Sequence, residues 1–126
     1  MSQKAIKITG WALTIILGLL FAASAVMKLN PNETVLAQAA ALGFGASTYR
    51  AIGIVEILSL VLFIIPRTGI VGTLLLVAYM GGAIATHLQH QQSILMPVAI
   101  QMLLWITAII RFPELRQRLF TAKKKV

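Results

Sequence analysis

One acidic residue, Glu56, lies within an otherwise almost entirely apolar stretch, AIGIVEILSLVLFII at residues 51–65. The other polar side chain in this stretch is the hydroxyl of Ser59. An ionisable group inside a membrane-spanning helix is energetically costly and is by default a candidate functional residue. A buried carboxyl group can exchange a proton, pair with a cation or bind a ligand. The chemistry of this stretch therefore depends on the polar groups that surround Glu56.

The other candidates are polar residues that lie at the ends of apolar segments or inside them. Some can pair with the carboxylate as cations, and others need a hydrogen-bond partner because an unsatisfied polar group in lipid costs several kcal/mol. No catalytic residue is identified. We expect the ligand-binding or proton-exchanging residues to be Glu56, His87, Lys28, Gln101, Arg50 and Tyr79.

The sequence does not determine the protonation state or the role of Glu56. The side chain is either neutral, because burial disfavours the charge, or ionised beside Lys28, Arg50 or a protonated His87. One alternative is a structural role, as an ion pair or as a neutral carboxyl group bonded to Gln101. The other is proton exchange or ligand binding. Lys28 is correspondingly either an interfacial anchor or the partner of Glu56.

The residue types in this sequence argue against a metal site and against thiol chemistry. The chain has no cysteine, which excludes disulfides, CxxC redox motifs and thiolate metal sites. Three acidic residues disfavour a cage of several carboxylates. His87 and His90 could face one metal ion, but no further strong ligand lies nearby. We expect no metal site and solvated interfacial histidines, with His87 as a proton relay to Glu56 as the alternative.

Composition indicates an integral membrane protein. The 126-residue chain is 59% hydrophobic and 11% charged, whereas soluble domains are about 45–50% apolar and about 25% charged. The net charge of +8 is typical of Lys and Arg that flank membrane spans. We expect no nucleic-acid partner, because basic and aromatic residues are not interleaved.

Apolar segments predict the elements that position these residues. A helix needs about 20 residues to cross roughly 30 Å of hydrocarbon. The breaker Asn30-Pro31-Asn32 precedes ETVLAQAAAL at residues 33–42, which is too short to span. We predict an all-α, integral membrane four-helix bundle, a single domain over residues 1–126, with a short interfacial helix between spans one and two. The predicted spans cover about residues 8–28, 50–65, 69–88 and 94–111.

Basic residues determine the expected orientation. The N-terminus, the connection between spans two and three and the basic tail at residues 112–126 carry most of the Lys and Arg. The positive-inside rule then places both termini in the cytoplasm, with the protein integral to the cell (inner) membrane. Ala23-Ser24-Ala25 after an apolar run is also typical of a signal peptide, but we expect a retained first helix. Lys123-Lys124-Lys125 is expected to anchor the tail to anionic lipid.

This orientation gathers polar residues in the outer half of the membrane. Glu56 lies about 9 Å below Arg50, and Gln101 lies about 10 Å below the start of span four. Spans one and three end at the same level with Lys28 and His87. We therefore predict a polar pocket in the outer half of the bundle.

Several short motifs follow one another along nearly the whole chain: SAVMKL at 24–29, LG at 42–43, GIVE at 53–56, PRTG at 66–69, YMGGA at 79–83 and HL at 87–88. Their order and spacing resemble the DoxX-like family of small four-helix membrane proteins. The resemblance implies that Lys28, Glu56 and His87 occupy positions where the family has similar residues. Some relatives are named as subunits of a thiosulfate:quinone oxidoreductase, others are linked to oxidative-stress complexes, and a distant animal relative is an assembly chaperone for nicotinic receptors.

Three function classes remain. The first is an accessory or small-ligand-binding component, not an enzyme by itself, whose pocket holds a lipid-like or quinone-like molecule or a partner helix. The second is the membrane subunit of a quinone-linked oxidoreductase, with a quinone as cofactor. The third is a small proton-coupled transporter that uses Glu56. Besides the lipid bilayer, we expect a membrane protein or a second copy of the chain as partner.

Overall fold

The computed structural model describes residues 2–120, and within them every regular element is a helix. Lys123, Lys124 and Lys125, for which a lipid anchor is predicted, lie outside the described residues. A 3-10 turn at Pro66–Thr68 separates two of the long helices. The α-helices are α1 (Gln3–Leu29), α2 (Glu33–Ala41), α3 (Ala46–Ile64), α4 (Gly69–Gln89), α5 (Leu95–Arg111) and α6 (Pro113–Phe120).

Local sequence signals account for the interruption between α1 and α3. Asn32 caps α2, and its side-chain oxygen accepts a hydrogen bond from the backbone N–H of Val35 at 2.9 Å. Gly43 follows the helix with φ +85°, a left-handed conformation that costs glycine little. The backbone N–H of Gly43 bonds to the carbonyl of Ala40 at 3.0 Å. The helical backbone is therefore interrupted twice between α1 and α3, on either side of α2.

The four long helices pack around one core in a cyclic order. Helix α1 packs against α3 and α5, and α4 also packs against α3 and α5. Large apolar side chains fill the interior, so each helix is held by two neighbours. The fully or almost fully buried ones are Leu17, Phe21, Leu60, Phe63, Leu76, Met80 and Leu104.

The outer surface is apolar, as in a membrane protein. Large hydrophobic side chains point outwards on every long helix, for example Leu19, Leu58, Leu74 and Met102, each with more than half of its surface exposed. Helices α1, α3 and α4 (the last with its preceding 3-10 turn) are long and apolar enough to cross a membrane. Helices α5 and α6 pass the same test only together, across a bend of 104°. The chain is thus a membrane protein with several helices able to span.

Helix α6 lies in the segment that the sequence pattern identifies only as a basic tail. Pro113 starts the new helix, since proline is favoured in a first turn, and Phe112 before it is extended. The Phe112 ring packs edge-on against Phe63 with centroids 6.3 Å apart. Arg116 donates to the carbonyls of Ile109 and Ile110 at 2.8 and 3.0 Å. These contacts hold the bend, and hydropathy does not detect the helix because PELRQRLF is polar.

Two ends of the helix assembly differ in what they contain. We call the end that holds Arg111, Pro66 and the start of α1 the arginine end. There Arg111 donates to the backbone carbonyls of Phe63 and Ile64, which the last turn of α3 leaves without intrahelical partners. We call the other end, which holds Glu56, the glutamate end. It contains the candidate functional site.

Candidate functional site

Glu56 lies on the face of α3 that contacts α1. Gly53, one turn earlier, shows why the two helices come so close. A Cβ atom built at Gly53 would lie 2.8 Å from the Cβ of Lys28 and 3.2 Å from the carbonyl oxygen of Ala25. Residues three apart share one helix face, so the close approach at Gly53 also presses Glu56 against α1. The side chain of Glu56 is 1% exposed.

Three donors from two other helices meet one oxygen of Glu56. Oε1 accepts from Lys28 Nζ at 3.1 Å, from Tyr79 OH at 3.0 Å and from Ser24 Oγ at 3.3 Å. Lys28 and Ser24 are one turn apart on α1, and Lys28 Nζ also donates to Ser24 Oγ. Lys28 and Glu56 thus form a buried salt bridge. We call Ser24, Lys28, Glu56 and Tyr79 the polar cluster.

The second oxygen of Glu56 has no such partner. Over residues 2–120, all three hydrogen bonds received by this carboxylate end on Oε1. A carboxylate has about four acceptor positions on its two oxygens. Since Glu56 lines a cavity, Oε2 remains able to accept a hydrogen bond from a molecule bound there.

Aromatic rings surround the ammonium group of Lys28. Nζ lies 5.3 Å from the ring centroid of Tyr49 and 6.0 Å from that of Tyr79. These distances fall within the roughly 6 Å range of cation–π attraction. Phe44 stacks on Tyr49 with centroids 5.9 Å apart, and Phe21 packs edge-on against Tyr79 at 6.4 Å. The lysine is therefore held from two sides by rings as well as by Glu56.

A cavity of about 440 Å³ adjoins the polar cluster. Its size lies within the range of about 300–1,000 Å³ typical of small-molecule sites. Helices α1, α3, α4 and α5 and the connection between α2 and α3 all contribute to its walls, which are mostly apolar. Apolar lining residues include Leu20, Phe21, Ile52, Met80, Ala83 and Ile100. Polar lining residues are Ser24, Lys28, Tyr49, Glu56, Tyr79, Thr86, His87 and Ser93.

The structure brings some of the predicted residues together and separates others. Lys28 and Tyr79 bond to Glu56. His87 lines the same cavity, but its Nδ1 lies 2.6 Å from the carbonyl oxygen of Ala83 on its own helix. Arg50 is exposed and does not line the cavity.

Gln101 also lies away from the polar cluster. Its Nε2 donates to the backbone carbonyl of Val77 at 3.1 Å, and its Oε1 is buried without a hydrogen-bond partner among residues 2–120. It does not line the cavity. The amide thus links α5 to α4 and does not bond to Glu56.

Two residues that contact Lys28, Ser24 and Tyr49, are not among the predicted ones. Ser24 carries a usable signal, because it precedes Lys28 by four residues and therefore lies on the same helix face. Tyr49 lies just before the predicted span at about residues 50–65. It reaches Lys28 because α3 begins at Ala46, several residues before the predicted start of the span, so that Tyr49 becomes part of the helix.

Comparisons with known proteins agree with the motifs. A family model described as the DoxX-like family matches residues 12–109. This range includes most of α1 and α5 and the whole polar cluster. Comparison with curated proteins and with solved structures found no match. The family match confirms the resemblance that the motifs indicate, and since it covers well over half of the chain, this protein belongs to the DoxX-like family.

Proposed function

We propose that this protein is an accessory membrane component that binds one small amphiphilic ligand in the cavity beside Glu56. The apolar body of the ligand packs against the helices, and its polar head meets Glu56 and Lys28. The observation that carries the proposal is a buried salt bridge on the wall of an open, mostly apolar cavity of about 440 Å³.

Stability alone is a weak reason for this arrangement. Replacing a buried ion pair by well-packed apolar residues is often neutral or stabilising, because desolvation offsets the attraction between the charges. Protein interiors also normally fill spaces larger than a water molecule with side chains. Here an ion pair is retained and the space beside it is left open, which supports binding in preference to a purely structural role.

The polar cluster favours a ligand with a neutral head. Lys28 and Glu56 carry opposite charges, so together they need no further counter-ion. A charged head group would add an uncompensated charge in a region of low dielectric. A hydroxyl, carbonyl or amide group can instead donate to Glu56 Oε2 or accept from Lys28. Quinones belong to this class, and recovery of a quinone would favour the alternative of an oxidoreductase subunit.

The membrane arrangement is part of the proposal. We place α5 as a fourth span beside α1, α3 and α4, because it packs against both α1 and α4. Its 17 residues reach the lower end of the usual range for a span. Helix α2 then lies at the outer interface of the inner membrane. Lys4, Lys7 and Arg67 fall on the cytoplasmic side, so the cavity opens in the outer half of the bundle.

Two adjacent glycines provide a matched test. A Cβ atom at Gly81 or at Gly82 would meet nothing within 4 Å, but Gly82 lines the cavity and Gly81 does not. We expect G82L to fill the cavity and G81L to leave it open, with both variants folded. Native mass spectrometry of detergent-extracted protein should show a neutral amphiphile on the wild type and on G81L, reduced at least tenfold on G82L. Equal retention by both variants, or ligand-free mass in all three proteins, would contradict the proposal.

The polar end of the cavity is tested separately with Glu56→Gln. The amide keeps the shape of the side chain but removes the charge that holds Lys28, so we expect at least a tenfold loss of the bound molecule. Should this variant not fold, K28M/E56Q removes both charges and takes its place. Unchanged retention in a folded variant would show that the ligand does not use the polar cluster.

A further inference from the structure

A second groove lies at the arginine end, far along the helices from the cavity at Glu56. We propose that this groove, between the first turns of α1 and helix α6, binds the phosphate-containing head group of an anionic phospholipid. The inference is independent of the ligand proposed at Glu56. It depends on the charge of the groove and on the apolar surfaces beside it.

The groove is large and predominantly basic. Its volume is about 810 Å³, and residues from α1, α5 and α6 line it together with Pro66. The basic side chains on its walls come from both sides, and one acidic side chain, Glu114, lies among them. The resulting excess of positive charge suits an anionic phosphodiester. The basic lining residues are Lys4, Lys7, Arg111 and Arg116.

The lysines in particular are available to a ligand. Arg111 and Arg116 each use part of the guanidinium group on backbone carbonyls, which fixes them in place. Lys4 and Lys7 are exposed, and neither forms a hydrogen bond or an ion pair within residues 2–120. Glu114 is exposed and forms no ion pair within that range either. The groove therefore keeps its positive charge.

Apolar surfaces beside the groove identify a lipid as the occupant. Ile8 follows Lys7 on α1 and Ile15 lies two turns further along the helix, and they are 60% and 59% exposed. Trp11 lines the groove, with the guanidinium of Arg111 4.4 Å from its ring centroid. Tryptophan with an apolar body and a polar edge is typical of membrane interfaces. A free phosphate would use the cations alone, whereas a phospholipid uses both the cations and the apolar faces.

The bend of 104° between α5 and α6 completes the site. If α5 crosses the bilayer, α6 runs roughly along its surface, and its exposed Leu119 and Phe120 can reach the acyl region. The cations of α6 then lie at the same level as those at the start of α1. The groove thus faces the cytoplasmic leaflet in the proposed orientation.

The test compares two variants that each remove two positive charges from the same end. K4Q/K7Q alters the groove, whereas R67Q/R118Q changes exposed residues that do not line it. Native mass spectrometry of the full chain measures retention of phosphatidylglycerol against phosphatidylcholine, both supplied in equal amounts. We expect the wild type and R67Q/R118Q to prefer phosphatidylglycerol at least tenfold. K4Q/K7Q should lower this preference at least fivefold, and K4R/K7R should restore it.

Further outcomes would overturn the inference. Equal retention of the two lipids by the wild type, or the same loss in both double variants, would remove the case for a defined site. Replacing Lys123, Lys124 and Lys125 with Gln should preserve most of the preference for phosphatidylglycerol. Complete loss of the preference in that variant would mean that the tail, and not the groove, binds the lipid. Excess inorganic phosphate should leave the lipid bound, and its displacement would identify a free-phosphate site instead.

Discussion

Helix α4 shows how differently the two ends of the molecule are built. Near its start, a Cβ atom at Gly72 would overlap the backbone of Phe63, and one at Gly69 would overlap the ring of Phe112. In its second half, Gly81 and Gly82 are exposed and have nothing within 4 Å of the same position, Gly82 beside the cavity and Gly81 outside it. One helix thus passes from close backbone contact at the arginine end to an open surface, part of which faces the cavity at the glutamate end.

The hydrogen bonds of polar side chains also differ between the two ends of the molecule. Thr14 and Thr73 each donate at 2.7 Å to the carbonyl four residues earlier in their own helix, which satisfies them without any partner on another helix. Ser24 and Tyr79 instead donate to Glu56 across helix boundaries. At the arginine end these threonines therefore bond only within their own helices, and the side-chain bonds from α5 to α3 come from Arg111. The glutamate end couples three helices through groups that a ligand can also reach.

The largest predicted effect concerns the salt bridge. Lys28→Met and Glu56→Gln each leave one buried charge without its partner, and each should lower the free energy of unfolding by about 3–5 kcal/mol. K28M/E56Q removes both charges and should recover most of that loss. Reversible unfolding in detergent mixtures measures all three. Strictly additive losses would show that the two side chains do not act as a pair.

Gly72→Ala tests the arginine end of the comparison. The added methyl group has no room beside the backbone of Phe63, so we expect a loss of about 1–3 kcal/mol in unfolding free energy. Gly81→Ala is the matched control, because its Cβ meets open space and alanine favours a helix by about 1 kcal/mol over glycine. Equal effects of the two substitutions on the unfolding free energy would contradict the difference in packing between Gly72 and Gly81.

The sequence predicts the positions of helices better than the directions in which their side chains point. Helices α4 and α5 lie within a residue or so of the predicted segments 69–88 and 94–111, because an apolar run of membrane-spanning length has few alternatives. The start of α3 at Ala46 and the whole of α6 are not apparent from hydropathy. Both segments are polar, and both are helical through tertiary contacts and turn residues.

Site residues show the same limit. Counting residues along a helix gives depth, and depth correctly predicts that Lys28 and Glu56 lie at a similar level. It does not give the rotation of a helix about its own axis. Close contact at Gly53 determines that rotation for α3, and nothing equivalent in the sequence determines it for α5. Gln101 therefore bonds to the carbonyl of Val77 and does not reach Glu56.

Gln101→Leu has the smallest expected effect on stability, and it tests how far the ligand site extends. The substitution loses one hydrogen bond to the carbonyl of Val77 but also removes a buried oxygen that has no partner within residues 2–120. These two effects have opposite signs and similar size, so the unfolding free energy should change by less than about 1 kcal/mol. Because Gln101 does not line the cavity, ligand retention in native mass spectrometry should match that of the wild type, whereas Glu56→Gln should lower it at least tenfold. Loss of the ligand from a folded Gln101→Leu variant would mean that the site extends across α5 at that depth. Polar residues at one level of the membrane would then all belong to the ligand site, whichever way their helices are rotated.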